Sequence, residues 1–184
     1  MKTAPPFMSF VTRCCKRPGP LKRCVASVKK QTSQDYEHVF LVDNIGRGYA
    51  YANSLFYLHR EKVKGEFVFL LDDDDYVTEP NFISHIKAIV IGESPDVIMV
   101  KMQTEAHIFP LKNVWKKVPI SGSIGTSCFV VSNKVYQRHI KAFWQNCGGD
   151  YHFIKEVFKH NYKVFWFDKI ITRIDAAHRT HMVK

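Results

Sequence analysis

The sequence predicts an α/β fold: a mostly parallel central sheet flanked by helices, with a small antiparallel C-terminal portion. Three observations predict it. Short apolar runs rich in β-formers alternate with stretches at helical spacing, a βαβαβαβ order that implies parallel strands and right-handed crossovers. Glycine, proline and polar turn residues punctuate the alternation. One apolar run, residues 67–71, passes straight into four consecutive carboxylates, Asp72, Asp73, Asp74 and Asp75. In open α/β sheets, ligands bind just beyond the carboxyl ends of the strands.

Residues 8–11 form the first expected strand, followed by Thr12-Arg13, a basic loop and the turn Pro18-Gly19-Pro20. Leu21, Cys24, Val25 and Val28 recur at helical spacing, so 21–30 is a helix with a basic outer face. Residues 38–42 are a second buried strand ending in Asp43-Asn44. Gly46-Arg47-Gly48 is a glycine turn before a helix over 49–60. The acid-ended strand comes next. Pro80 opens a helix to about residue 91, with Glu79 in its first turn. Residues 97–102 are a fourth strand. Beyond it the pattern is less regular. Residues 108–119 read as a hairpin or loop, and 121–126 as a flexible connection. A strand at 128–131, a helix at 133–143, a loop presenting Asp150 and a helix at 151–160 follow. Two short strands, 164–167 and 170–171, precede the tail.

The 184 residues suit one domain with a sizeable core. No apolar run approaches the ~20 residues needed to span a bilayer, and no signal-peptide pattern opens the chain. The five cysteines show neither zinc-site spacing nor a disulfide framework, so a reducing, cytoplasmic setting is expected. The formal charge is +10, and residues 1–30 hold eight Lys or Arg and no acid. Such a surface attracts polyanions; a solubilising charge with no partner is the plainer alternative.

Against that basic background the acid cluster stands out. Four adjacent like charges raise each other's pKa. A cation at the strand's mouth would relieve them. Hard cations such as Mg²⁺ take carboxylate oxygens together with substrate phosphates, which suggests a site for a diphosphate-bearing substrate. The alternative is a solvated acidic turn capping the next helix. Asp75 or Thr78 suffices for that and leaves Asp72 and Asp74 unexplained.

Three stretches carry a family resemblance. They are residues 69–75 followed by Pro80, then Arg47-Gly48-Tyr49-Ala50-Tyr51-Ala52-Asn53, and Gly148-Gly149-Asp150-Tyr151 before a helix. In this order the chain resembles a family 2 glycosyltransferase of the GT-A (Rossmann-like) fold, over nearly its whole length. The resemblance implies a single domain over 1–184, with a nucleotide-sugar-binding half at 1–103 and an acceptor-binding half at 104–184. It implies an inverting, metal-dependent transfer from a nucleotide-sugar, with Mn²⁺ or Mg²⁺ and UDP-sugar as the expected cofactor and donor.

Position by position, the resemblance implies that Thr12 and Arg13 touch the nucleotide and Asp43 the base. Arg47, Asp72 and Asp73 join the donor site, Asp72 on the ribose side. Asp74 holds the metal, and Asp150 is the catalytic base. A base is needed because an acceptor hydroxyl has a pKa far above 7; an N-capping role is the alternative for Asp150. Two departures stand out. Gly149 replaces the family's usual Glu, leaving more room for a bulky acceptor or removing an acceptor-binding carboxylate. Arg173-Ile174-Asp175 occupies the register of the usual Arg-x-His. His178 is then the preferred metal-side group, with Asp175 and His181 as competitors, and Arg179 neutralises the leaving diphosphate.

For the acceptor, Lys112, Lys116 and Lys117 and the basic N-terminal helix suggest a polyanion. Trp115 and Trp144 offer stacking platforms, and Gly149 and Tyr151 lie beside the base. The leading expectation is the 5-hydroxymethyl pyrimidine of DNA (5-hydroxymethylcytosine in viral DNA modification), flipped from the stack. The alternatives are an envelope glycan or lipid-linked acceptor, and a non-catalytic nucleic-acid-binding module.

Overall fold

The computed structural model describes residues 4–174. Its strands are β1 (Met8–Cys14), β2 (Tyr36–Val42), β3 (Phe67–Leu70), β4 (Asp75–Val77), β5 (Val97–Gln103), β6 (Ile108–Phe109), β7 (Phe129–Ser132) and β8 (Val164–Ile174). Its α-helices are α1 (Pro18–Lys29), α2 (Tyr49–Leu58), α3 (Phe82–Glu93), α4 (Asn133–His139) and α5 (Gly149–Val157). All eight strands join one sheet in the order β2-β1-β3-β7-β5-β8-β4, with β6 paired to β5.

Most of the sheet runs one way. β1 is parallel to β2 and β3, and β5 is parallel to β8. β7 lies antiparallel between β3 and β5, so those two also share a direction. Only β7 and the short β4 and β6 run against it. The carboxyl ends of β1, β2, β3, β5 and β8 therefore meet along one edge, where ligands bind in such sheets.

Strand side chains alternate between the two faces, and each face buries one set. Phe10, Phe67, Phe69, Leu71, Ile98 and Val130 pack with Cys24 and Val28 of α1 and Phe82, Ile83 and Ile86 of α3. Val11, Val68, Leu70, Met99, Phe129 and Val131 pack on the other side, against α2, α4 and α5. Full burial of each such side chain is worth about 1.5–3 kcal/mol. Helices thus cover both faces, and no helix among the described residues is long and apolar enough to cross a membrane.

Several boundaries differ from expectation. β4 was not foreseen: Asp75, Tyr76 and Val77 pair with β8 instead of forming only a turn. The two short C-terminal strands are one strand, β8, with irregular register opposite Met99–Met102. Asp168 and Lys169, which read as a break, sit in that irregular stretch, where Asp168 ion-pairs with Lys101 of β5. α3 starts after Pro80, with Glu79 accepting the Asn81 N–H at 3.0 Å. The helix expected at 133–143 ends at His139 and tightens into a 3₁₀ turn over Ile140–Phe143.

Candidate active site

Asp72 lies just past β3, with Leu71 between them. Arg13, near the end of β1, donates to it twice, from Nε at 2.6 Å and from Nη2 at 3.0 Å. The same guanidinium donates to Asn53 Oδ1 of α2. Asn53 in turn donates to the Gln145 carbonyl at 2.6 Å. The rings of Phe56 and Phe143 lie 5.4 and 5.6 Å from the Arg13 Cζ. Burial alone would raise the Asp72 carboxyl, but the charge and hydrogen bonds of Arg13 outweigh it and hold it below the usual range. Arg13 is therefore a strut joining β1, β3 and α2. Three of its five N–H groups are held by Asp72 and Asn53, and the side chain still lines the second of the two cavities described below.

Asp73 points inward and is fully buried. It accepts from Arg17 and from the Cys15 N–H at 3.4 Å. Burial raises its carboxyl, and the charges of Asp74 and Asp72 add to that while Arg17 opposes them. Its oxygens anchor the β1–α1 loop, and it lines neither of the two cavities described below. Asp74 is half-buried and pairs with Arg17 Nη1 at 2.9 Å. Asp75 is 3% exposed and accepts from Ser127 Oγ at 2.9 Å, and Ser127 meets Thr172 Oγ1 at 2.8 Å. Burial, then the charges of Asp72 and Asp74, push Asp75 well above the usual carboxylate range.

Asp150 arrives from the other half of the chain. α5 begins at Gly149, and Gly148 before it is left-handed at φ 65°, a conformation that favours glycine. Asp150 thus lies in the first turn, not at the N-cap. Its Oδ1 accepts its neighbour Tyr151's N–H at 2.7 Å. Burial raises its carboxyl and the nearby charge of Asp72 adds to this, against that hydrogen bond and Arg13.

Two cavities meet at Asp150 and Thr126. One, of about 370 Å³, is lined by Asp72, Asp74, Asp75, Thr126 and Asp150, with Met102 and Phe109 on its apolar side. The other, of about 410 Å³, is lined by Arg13, Tyr49, Asn53, Phe143, Cys147 and Asp150 among others. Residues 72, 74 and 150, far apart in sequence, converge around one cleft. Asp75 and Thr126 line it as well, and Asn53 lines the adjoining cavity; no such role was legible for any of the three in the sequence. Asp75 read as a helix cap and Thr126 as part of a loop. Only the antiparallel entry of β7 brings Thr126 to this edge.

Other expected residues fall elsewhere. Thr12 is fully buried and its hydroxyl meets His38 Nε2 at 2.9 Å, so it lines neither cavity. Asp43 is buried and accepts the backbone N–H groups of Ile45, Gly46 and Arg47 at 3.0, 2.9 and 2.7 Å. Its carboxylate shapes the β2–α2 loop instead of standing free for a base. Arg47 is exposed, its Cζ 4.4 Å from the Tyr51 ring centroid. Trp115 is no open platform: it packs edge-on to Trp166 at 5.0 Å, with Lys101 Nζ 4.6 Å from its ring centroid. Trp144 is 44% exposed and stacks on Tyr57. Tyr151 is half-buried against the core. The volume a side chain would take at Gly149 is filled, because a Cβ there would lie 2.5 Å from both the ring and the carbonyl oxygen of Phe143, although Gly149 itself lines the second cavity. Asp175, His178, Arg179 and His181 lie outside the described residues.

The donor set at the cleft is chemically suited to a hard divalent cation: Asp74 and Asp75 both line the cavity. Among the described residues, the cleft acids do not form a set of three with ligand atoms within 4.8 Å. That fits a metal bound by one or two carboxylates and completed by substrate phosphate and water, as Mg²⁺ commonly is.

No protein-family model matches the chain, and no curated protein sequence does. Solved structures do match. S. aureus TarS aligns with a TM-score of 0.70 at 13% identity, covering 91% of this chain and 36% of TarS. A mannosyltransferase from Pyrobaculum calidifontis, PcManGT, in complex with GDP-Man and Mn²⁺, aligns at 0.66 and 9% identity, covering 97% of this chain and 59% of its own. A197 from STIV aligns at 0.58 and 15% identity, covering 88% and 81%. The chain spans little more than a third of the length of TarS. With identities this low, the shared property is the path of the backbone, and the chain has the GT-A fold, a Rossmann-like α/β sheet with helices on both faces.

Proposed function

We propose that the chain transfers a sugar from a nucleotide-sugar to a hydroxyl acceptor, with inversion, using Asp150 as general base. The observation that supports this most is the position of Asp150, a partly buried carboxylate at the junction of two cavities, across from Asp72, Asp74 and Asp75. The donor's diphosphate lies on the Asp74 side. The acceptor approaches through the cavity walled by Phe143 and Gly148. Its oxygen bonds to the anomeric carbon as the bond to the diphosphate oxygen breaks. Its proton passes to the Asp150 carboxylate, help typically worth ~10²–10⁴-fold in rate. The raised pKa of Asp150 makes it a stronger base than an ordinary carboxylate. Arg17, half-buried over Asp73 and Asp74, and Arg13, which lines the second cavity, are the described cations proposed to meet the leaving diphosphate. A Mn²⁺ or Mg²⁺ held by Asp74 and Asp75 would neutralise charge on that group. PcManGT, solved with GDP-Man and Mn²⁺, and a TarS fragment solved with UDP agree with a nucleotide-sugar donor. UDP-sugar remains the proposed donor.

For the acceptor we propose a polyanion, with the hydroxymethyl pyrimidine of DNA as the leading case. Its support is charge: +10 over the chain, with Lys112, Lys116 and Lys117 all exposed. The extra space once expected at Gly149 is no part of it, since Phe143 fills that volume. The test is a panel of nucleotide-sugars with Mn²⁺, offered hydroxymethylated DNA, plain DNA and a glycan acceptor, and read by mass spectrometry. A hexose or pentose mass added only to the hydroxymethyl base is the expected result. Transfer to the glycan alone would move the acceptor to the envelope class. DNA binding without turnover of any donor would leave a nucleic-acid-binding module and overturn the transferase.

A further inference from the structure

Helix α5 carries a second cluster at the end remote from Asp150. His139 closes α4, and Glu156 and His160 lie at the end of α5 and just past it. One ligand atom from each comes within 4.8 Å of the others, and this is the sole such trio among the described residues. The rings of His139 and His160 are 4.6 Å apart at 41°. Glu156 Oε1 is 3.7 Å from His160 Nε2, and its Oε2 accepts from Lys159 at 2.7 Å. The Tyr162 hydroxyl lies 3.0 Å from His139 Nε2 and fixes that ring's plane. Oxygen partners of this kind orient ligating imidazoles in metal sites.

We propose that His139, Glu156 and His160 form a Zn²⁺ site that clips α4 to α5 and so fixes the helix bearing Asp150. The chemistry of the set is two imidazoles and a carboxylate, a combination that binds Zn²⁺ with a fourth position left for water. Tetrahedral ligands at ~2.0–2.1 Å stand roughly 3.4 Å from one another. Closing from 4.8 Å or less to that spacing needs only side-chain rotation of the two surface members. Those two, Glu156 and His160, have side chains 34% and 37% exposed, while His139 is 6% exposed. The cluster is thus anchored on the inside and open to solvent on the outside. Asp150 and Glu156 are six residues apart on α5, so about 9 Å of helix separates the two sites. The proposal does not depend on the cleft's chemistry.

The plainer account is two imidazoles and a tyrosine stacked without a metal, and the test separates the two. Co²⁺ is titrated into metal-free protein and followed by visible absorption, and Zn²⁺ is scored by thermal melting. One intense set of tetrahedral d–d bands per chain is expected. Zn²⁺ at a hundredfold excess over its dissociation constant should raise Tm by about 5–10 °C. His160→Gln, a partly exposed change that leaves the core intact, should weaken binding at least ~100-fold and abolish the Tm rise. Glu156→Gln should weaken it too, while Asp74→Asn should not. Absence of tetrahedral bands in wild type, or their survival in His160→Gln, would overturn the proposal.

Discussion

Gly149→Ala puts the tightest packing around the base to the test. The new Cβ would meet Phe143 Cδ1 at 2.5 Å, Cε1 at 2.7 Å and the Phe143 carbonyl oxygen at 2.5 Å. The ring can swing aside, but the carbonyl belongs to the backbone of the 3₁₀ turn and cannot. Alanine gains about 0.5–1 kcal/mol over glycine inside a helix. Overpacking costs typically 1–3 kcal/mol, so the net effect is destabilising. Net of the alanine gain the cost is up to about 2.5 kcal/mol, which for a chain of this size is a Tm fall of up to about 10 °C. Urea and thermal unfolding of wild type, Gly149→Ala and the double variant with Phe143→Leu measure it. The double variant should recover only part of the loss, because it relieves the ring and leaves the carbonyl. Turnover should fall further than stability does, since a 1 Å displacement of a reacting group can cost ~10²-fold and Asp150 is the next residue. A Gly149→Ala protein as stable as wild type would refute the packing argument. Full rescue by Phe143→Leu would refute the part assigned to the carbonyl.

Asp150→Asn should lower kcat by about 10²–10⁴-fold with no loss of Tm at pH 7, since the carboxyl it replaces is raised by burial as that of Asp75 is. In wild type the rate should rise with pH through a midpoint above the ordinary carboxylate value of about 3.9, and the variant should lose that limb. Asp75 is raised in the folded state, so its contribution to stability is present below the unfolded pKa of about 3.9 and lost as pH rises through the folded one. Asp75→Asn should therefore raise the Tm of metal-free protein at pH 7, with the difference closing below about pH 4. Arg13→Ala leaves half-buried Asp72 without its partner and should cost at most about 3–5 kcal/mol, the figure for a fully buried pair, read by urea unfolding; Arg13→Lys, which cannot reach both Asp72 and Asn53, should recover only part.

Why some of this was legible in the sequence follows from the range of the forces involved. Residues 67–75 declare a buried strand and an acidic mouth because apolar run and charge run adjoin in the chain. The same locality revealed most helices and the glycine turn before Asp150. Side-chain aim was not legible. Asp72, Asp73, Asp74 and Asp75 look alike as letters. In the fold Asp73 is buried under Arg17 and the other three line the cavity, Asp72 among them clamped by Arg13. Thr12 and Trp115 read as ligand contacts, yet their partners, His38 and Trp166, come from distant strands.

What the sequence by itself determined is therefore the order of elements, the sheet's dominant direction and the edge at which the acids emerge. Those depend on periodicity, turn chemistry and strand polarity, all short-range. Tertiary structure alone decided that β7 enters antiparallel between β3 and β5, that Asp150 reaches the acidic edge, and that Phe143 occupies the space beside Gly149. These are contacts between segments tens of residues apart, and close packing of the whole core, not any local preference, selects them.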